Sequence, residues 1–193
     1  MRPDQPSILY LLPAVPLVAD TGGALRALSV LRALDKAFRL TVVARRHENE
    51  RAACSRALAS NDVAIEGDVA SVRPYLDRAF ATAIPLRVGS GTRIKILEAW
   101  AAGAPVVTSR IAAEGLPHSD GVDLILAEGP AEFARALVRL WRDRRLADQL
   151  ARQGARTVEP FTVEKIGEAV ERDYRELLAI QGRQTQRMDE NKF

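Results

Sequence analysis

Residues 83–108 read AIPLRVGSGTRIKILEAWAAGAPVVT. A short apolar run, Ala83–Val88, meets the turn Gly89-Ser90-Gly91. Apolar residues then recur at helical spacing from Thr92 to Ala102, and Gly103 with Pro105 just beyond closes that helix. Pro105–Thr108 starts a second β-like run. Strand, glycine turn, helix, glycine–proline stop and strand make the repeat unit of a parallel sheet, because parallel neighbours need a crossover and a helix is the usual one. Pro85 interrupts the first run, having no N–H to give to a ladder.

The alternation extends in both directions. Upstream, strands are expected at Ile8–Leu12, Leu40–Ala44 and Val63–Ile65, with helices at Ala24–Phe38, Glu48–Ser60 and Ser71–Phe80 between them. Downstream, Asp123–Leu126 is a weaker sixth strand, and helices follow at Ala131–Trp141, Arg145–Gln153 and Thr162–Ile180. The fold expected is α/β: a doubly wound, Rossmann-like parallel sheet of about six strands, helices on both faces and extra helices at the C-terminal end. A chain of 193 residues suits one domain with an appendage. Residues 1–180 are expected to form a single composite domain, and the polar residues 181–193 a flexible tail.

Composition removes several classes. With 47% apolar and 27% charged residues the chain can build a core, which excludes disorder and coiled coil. No apolar run reaches the length of about 18 residues that a membrane span needs. The apolar N-terminus is broken by Pro13 and Pro16 and has only Arg2 as a basic flank, so no signal peptide is expected. A cytoplasmic protein follows, with peripheral attachment at the inner membrane face left open. Cys54 stands alone, which excludes an internal disulfide; with His47 and His118 as the only histidines, no metal site is expected. Of the 28 basic residues only Lys36, Lys95, Lys165 and Lys192 are lysines. The arginines are scattered among acidic residues and not interleaved with aromatics, so no nucleic-acid surface is indicated.

Two glycine loops each follow an expected strand and open an expected helix: Thr21-Gly22-Gly23-Ala24 and Gly89-Ser90-Gly91-Thr92. Ligands of doubly wound sheets collect at the carboxyl ends of strands near the point where strand order reverses. Free main-chain N–H groups and the helix dipole there suit phosphate, and Arg87, Arg93 and Lys95 add cationic donors. Neither loop is a Walker A or GxGxxG sequence, and each alone also reads as an ordinary turn. Gly91, Lys95 and Glu98 share one helical stripe. A carboxylate in the otherwise apolar run Ile96–Ala102 could accept from adjacent sugar hydroxyls, or merely pair with Lys95 on the surface.

The ordered pattern P-L-x-x-G-x-G-T-R-x-K-x-L-E-A-x-A-x-G-x-P-V-V over Pro85–Val107, then Glu114-Gly115-Leu116 and a helix opened by P-A-E-F, resembles the C-terminal half of a GT-B glycosyltransferase of family 4 (group 1). The resemblance covers Glu66 to Tyr174, and Ile8–Ala44 is similar to the start of the N-terminal domain of that family. It implies retaining transfer from a nucleotide-diphosphate sugar, with no cofactor or obligatory metal. By position, Glu98 would hold the nucleotide ribose, and Gly89, Ser90, Gly91 and Thr92 would contact the donor sugar and phosphates. Gly22 and Gly23 would approach the diphosphate. Arg87, Arg93 and Lys95 complete the expected donor-binding set, and no catalytic residue is assigned.

Members of that family are roughly twice this length. The chain resembles a shortened form lacking most of the N-terminal domain and the start of the C-terminal one. Residues 1–60 would stand in for the missing β-α-β of the donor domain formed with 62–180, rebuilding one sheet of order near 3-2-1-4-5-6. Expected partners are the nucleotide sugar and an unidentified acceptor (glycan, lipid or small molecule), with pairing to a second copy open. The alternative is a non-catalytic nucleotide-binding or interaction module derived from a glycosyltransferase.

Overall fold

The computed structural model describes residues 7–11, 30, 38–44, 63–67, 69–86 and 93–190. Its strands are β1 (Ser7–Leu11), β2 (Arg39–Ala44), β3 (Val63–Gly67), β4 (Ala81–Ile84), β5 (Val106–Thr108) and β6 (Ile125–Leu126). They form one sheet of order β3-β2-β1-β4-β5-β6, parallel throughout. β1 pairs on one side with β2, from Ser7↔Arg39 to Leu11↔Val43, and on the other with β4, from Ile8↔Ala81 to Tyr10↔Ala83. The first strand and the fourth are therefore neighbours, in the order expected of the rebuilt sheet.

Boundaries shift for local reasons. β4 ends at Ile84 and does not run on to Val88, because Pro85 has no N–H for the ladder. The helix expected over Ser71–Phe80 contracts to α1 (Arg73–Leu76), with Pro74 in its first turn. Then come α2 (Ile94–Ala101), a short α3 (Arg110–Ala113) with no counterpart among the expected elements, α4 (Pro130–Arg142) and α5 (Arg144–Val158). A 3₁₀ turn, Glu159–Phe161, leads to α6 (Val163–Glu190). The helices expected at Ala24–Phe38 and Glu48–Ser60 lie outside the described residues except for Val30 and Phe38, both buried.

The pleat sends alternate residues to opposite faces, and each face has its own cover. Ile8, Leu40, Val42, Ala81, Ala83 and Val107 join one cluster with Phe133, Ala136, Leu137 and Leu140 of α4 and Ala147 and Leu150 of α5. α2 packs on β4 and β5 through Ile96, Ala99 and Trp100, which belong to the other face. At the edge of α4, Phe80 and Trp141 meet edge-to-face at 5.3 Å, and the Arg144 guanidinium lies 4.2 Å over the Trp141 ring. That arginine is a packing group here, its planar cation stacked on aromatic faces.

The chain divides into two compact units, Met1–Thr157 and Val158–Phe193. The second consists of the 3₁₀ turn and α6. The stripe Ile166, Val170, Tyr174, Leu177 and Leu178, expected to be a packing face, is exposed, Leu177 at 59%. Helical periodicity specifies a stripe, but only a neighbouring element can cover it. α6 also continues to Glu190, through most of the segment expected as a tail; Gln, Arg, Met and Glu are good helix formers.

Candidate functional site

The site is set by the carboxyl ends of β1, β4, β5 and β6, which all point the same way in a parallel sheet. The reversal of strand order falls between β1 and β4. Gly22 and Gly23 follow β1 in sequence, and Arg87, Gly89, Ser90, Gly91 and Thr92 follow β4. All seven lie outside the described residues. Arg93, Lys95 and Glu98 are described and share α2 or its first flank.

Around that end, three side chains tie successive loops together. Ser109 directly follows β5, where its hydroxyl donates to the Leu86 carbonyl just past β4 and accepts from the Ala112 N–H, capping α3. Glu128, just past β6, accepts from the Arg110 N–H at 2.9 Å, and its own N–H donates to Glu132 Oε2 at 2.6 Å. Both carboxylates sit at helix starts, where the dipole favours negative charge. Arg93 is the third. Its side chain is only 10% exposed; Nε donates to the Glu114 main-chain carbonyl at 3.1 Å, and the guanidinium lies 3.4 Å from Glu114 Oε2. Gly115 then turns the chain with φ +82°, a left-handed conformation that suits glycine.

α2 itself begins after Arg93 without a side-chain cap. Lys95 is half-buried and engaged. Glu98 lies on the outward side of α2, exposed, opposite the buried Ile96, Ala99 and Trp100. Its carboxylate takes part in no ion pair among the described residues, so the surface pairing with Lys95 is not formed. His118 is a local loop residue, its Nδ1 2.9 Å from the Leu116 carbonyl.

Sequence reading singles out the charged residues of α2 but passes over Ser109 and Glu128. Ser109 carried a signal in its position, a cap-type residue between a strand and the run Arg110-Ile111-Ala112-Ala113. Glu128 carried none, since its partner, the Arg110 amide, opens α3 eighteen residues away in sequence. Among the described residues no three His, Cys, Asp or Glu side chains come together to hold a metal, and no helix is long and apolar enough to cross a membrane.

Structurally the chain is similar to sucrose-phosphate synthase from Thermosynechococcus elongatus, with TM-score 0.70 at 19% identity, over 93% of this chain and 47% of that one. It is similar to Anabaena HepE, solved in complex with UDP-glucose, with TM-score 0.72 at 16% identity, over 90% of this chain and 49% of that one. A third likeness is to the C-terminal domain of the group 1 glycosyl transferase LpcC from Francisella tularensis, with TM-score 0.62 at 14% identity, over 79% of this chain and 84% of that one. The chain thus has the Rossmann-like fold of the C-terminal half of GT-B glycosyltransferases and spans about half the length of the first two. No curated protein matches it. A family model described as glycosyl transferases group 1 matches residues 3–143, and the chain belongs to that family.

Proposed function

We propose that this chain binds a nucleotide-diphosphate sugar at the carboxyl ends of β1 and β4 and transfers the sugar, with retention, to an acceptor. The observation that carries this reading is the strand order. It makes β1 and β4 parallel neighbours at the switch point, and Gly22-Gly23 and Gly89–Thr92 fall in the stretches of sequence that follow these two strands. Doubly wound sheets bind nucleotides at that place. The uncapped start of α2 supplies donors for a diphosphate, with Arg87 and Lys95 as cations. Glu98, exposed and without an ion-pair partner among the described residues, would accept from the ribose hydroxyls. Residues 1–180 would act as one composite donor domain of the family 4 kind, needing no cofactor beyond the donor.

HepE, solved with UDP-glucose, shares the fold, which supports a uridine diphosphate sugar as the first donor to try. The test is incubation of the full chain with UDP-, GDP- and ADP-sugars. Free nucleoside diphosphate is measured, and product anomeric configuration is read by NMR. Release with retention supports the transferase. Binding without release supports the other reading, a nucleotide-binding module.

A further inference from the structure

The structure assigns Arg93 to a positioning role: we infer that it does not touch the donor but latches the start of α2 to the segment after α3, and so sets donor affinity through Glu114. The inference rests on the donor-binding reading above. Its basis is where the guanidinium is used. Arg93 is the residue before α2, yet its side chain makes no cap for that helix. Instead it is nine-tenths buried, with Nε on the Glu114 carbonyl and the terminal nitrogen near Glu114 Oε2. A fork spent on a main-chain carbonyl fixes geometry in a way that a point charge cannot.

Three consequences follow from that placement. The Glu114 carboxylate is 75% exposed, so the main-chain carbonyl is the acceptor that matters. Gly115, at φ +82° with open space around its Cα, presents that carbonyl to Arg93. The latch closes on α3, which Ser109 ties to Leu86 and Glu128 ties to the end of β6. Leu86 and Arg93 are therefore both tied to the segment after β5.

The test is calorimetric titration of the full chain with uridine, guanosine and adenosine diphosphates, at low and high salt, together with amide exchange over residues 109–118. Arg93→Lys and Arg93→Met are expected to weaken binding equally, by about ten-fold, because both lose the Nε donor. Glu114→Gln should stay near wild type. Gly115→Ala, which leaves Arg93 intact but strains the backbone, should also weaken binding and quicken exchange of residues 114–118. Salt dependence should be the same in Arg93→Met as in wild type, since no ligand contact is lost. Protected amides in β1 and β4 check the fold. Wild-type affinity in Arg93→Lys, a flattened salt dependence in Arg93→Met, or an inert Gly115→Ala overturns the latch while the donor reading stands. A wild type that binds no nucleotide overturns the donor reading, and this role with it.

Discussion

Gly154 of α5 lies flat against the indole of Trp100 in α2: a Cβ built at 154 would overlap the ring. Trp100 is itself fixed from the other side, its Nε1–H donating to the Asp123 carbonyl at 2.9 Å. Asp123 in turn accepts from the Ser119 N–H at 3.0 Å and the Thr157 hydroxyl at 3.1 Å. Thr157 stands one turn beyond Gly154 on α5, so a helix end, a loop and α2 are locked around one ring. A glycine inside a helix costs about 1 kcal/mol against alanine, and here the close approach of α5 to the indole is what requires it.

Gly154→Ala should therefore destabilise, by roughly 1–3 kcal/mol of overpacking in spite of the gain in helix propensity. Gly167, in α6 with nothing near its Cα, is the matched control. Gly167→Ala should be neutral or stabilising by up to about 1 kcal/mol. Urea midpoints of the two variants check both signs, and two equal shifts would contradict the packing.

The apolar stripes of α4 and α6 look alike in sequence but not in burial. Leu137 is fully buried in the main cluster, whereas Leu177 is 59% exposed. Leu137→Ala is expected to cost roughly 2–5 kcal/mol by transfer and cavity terms. Leu177→Ala should lie within about 0.5 kcal/mol of wild type, as surface changes do. Chemical denaturation of the two variants is the measurement.

Thr82 sits at the centre of the sheet, fully buried, and its hydroxyl has no hydrogen-bond partner among the described residues. Its register neighbours are Leu9 and Val106, both apolar and buried. An unmet buried hydroxyl costs about 1–3 kcal/mol. Thr82→Val keeps the shape and removes the donor, so thermal unfolding should move upward by about 1 kcal/mol of stability. A lower melting temperature would show that the hydroxyl finds a partner in solution.

What could be read from the chain follows from the range of the forces involved. Strand–turn–helix alternation is local, so the strands and their order were legible, β1 beside β4 included; the register, Ile8 with Ala81, was not, since the expected strand began only at Ala83. α3 was not legible, because four residues are too few to show a period; its start depends on Ser109 and on Glu128, eighteen residues away along the chain. The α6 stripe was legible as a pattern, but burial is a property of two surfaces and only one is in the pattern. Arg93 was recognisable as a cation at the right place. That its fork is committed to a carbonyl twenty-one residues on was not.

Glu98 offers the sharpest test of the donor reading. Its carboxylate is exposed, lies opposite the buried side of α2 and takes part in no ion pair among the described residues. Glu98→Gln keeps the shape and removes the charge, so two charge-assisted hydrogen bonds to a ribose become neutral ones. Nucleoside diphosphate affinity should fall by about 1.5–3 kcal/mol, roughly ten- to a hundred-fold, with stability little changed because the side chain is exposed and in no ion pair among the described residues. Gly91→Val, in the glycine turn that precedes α2 in sequence, should be at least as damaging, since a branched side chain there would keep phosphates from the main chain. The two variants separate the two halves of the ligand. With a nucleoside lacking phosphates, Glu98→Gln should lose affinity as before, and Gly91→Val should bind like the wild type. Equal binding of the diphosphate by wild type and Glu98→Gln would remove the ribose assignment and leave the phosphate end of the site to be judged on Gly91 alone.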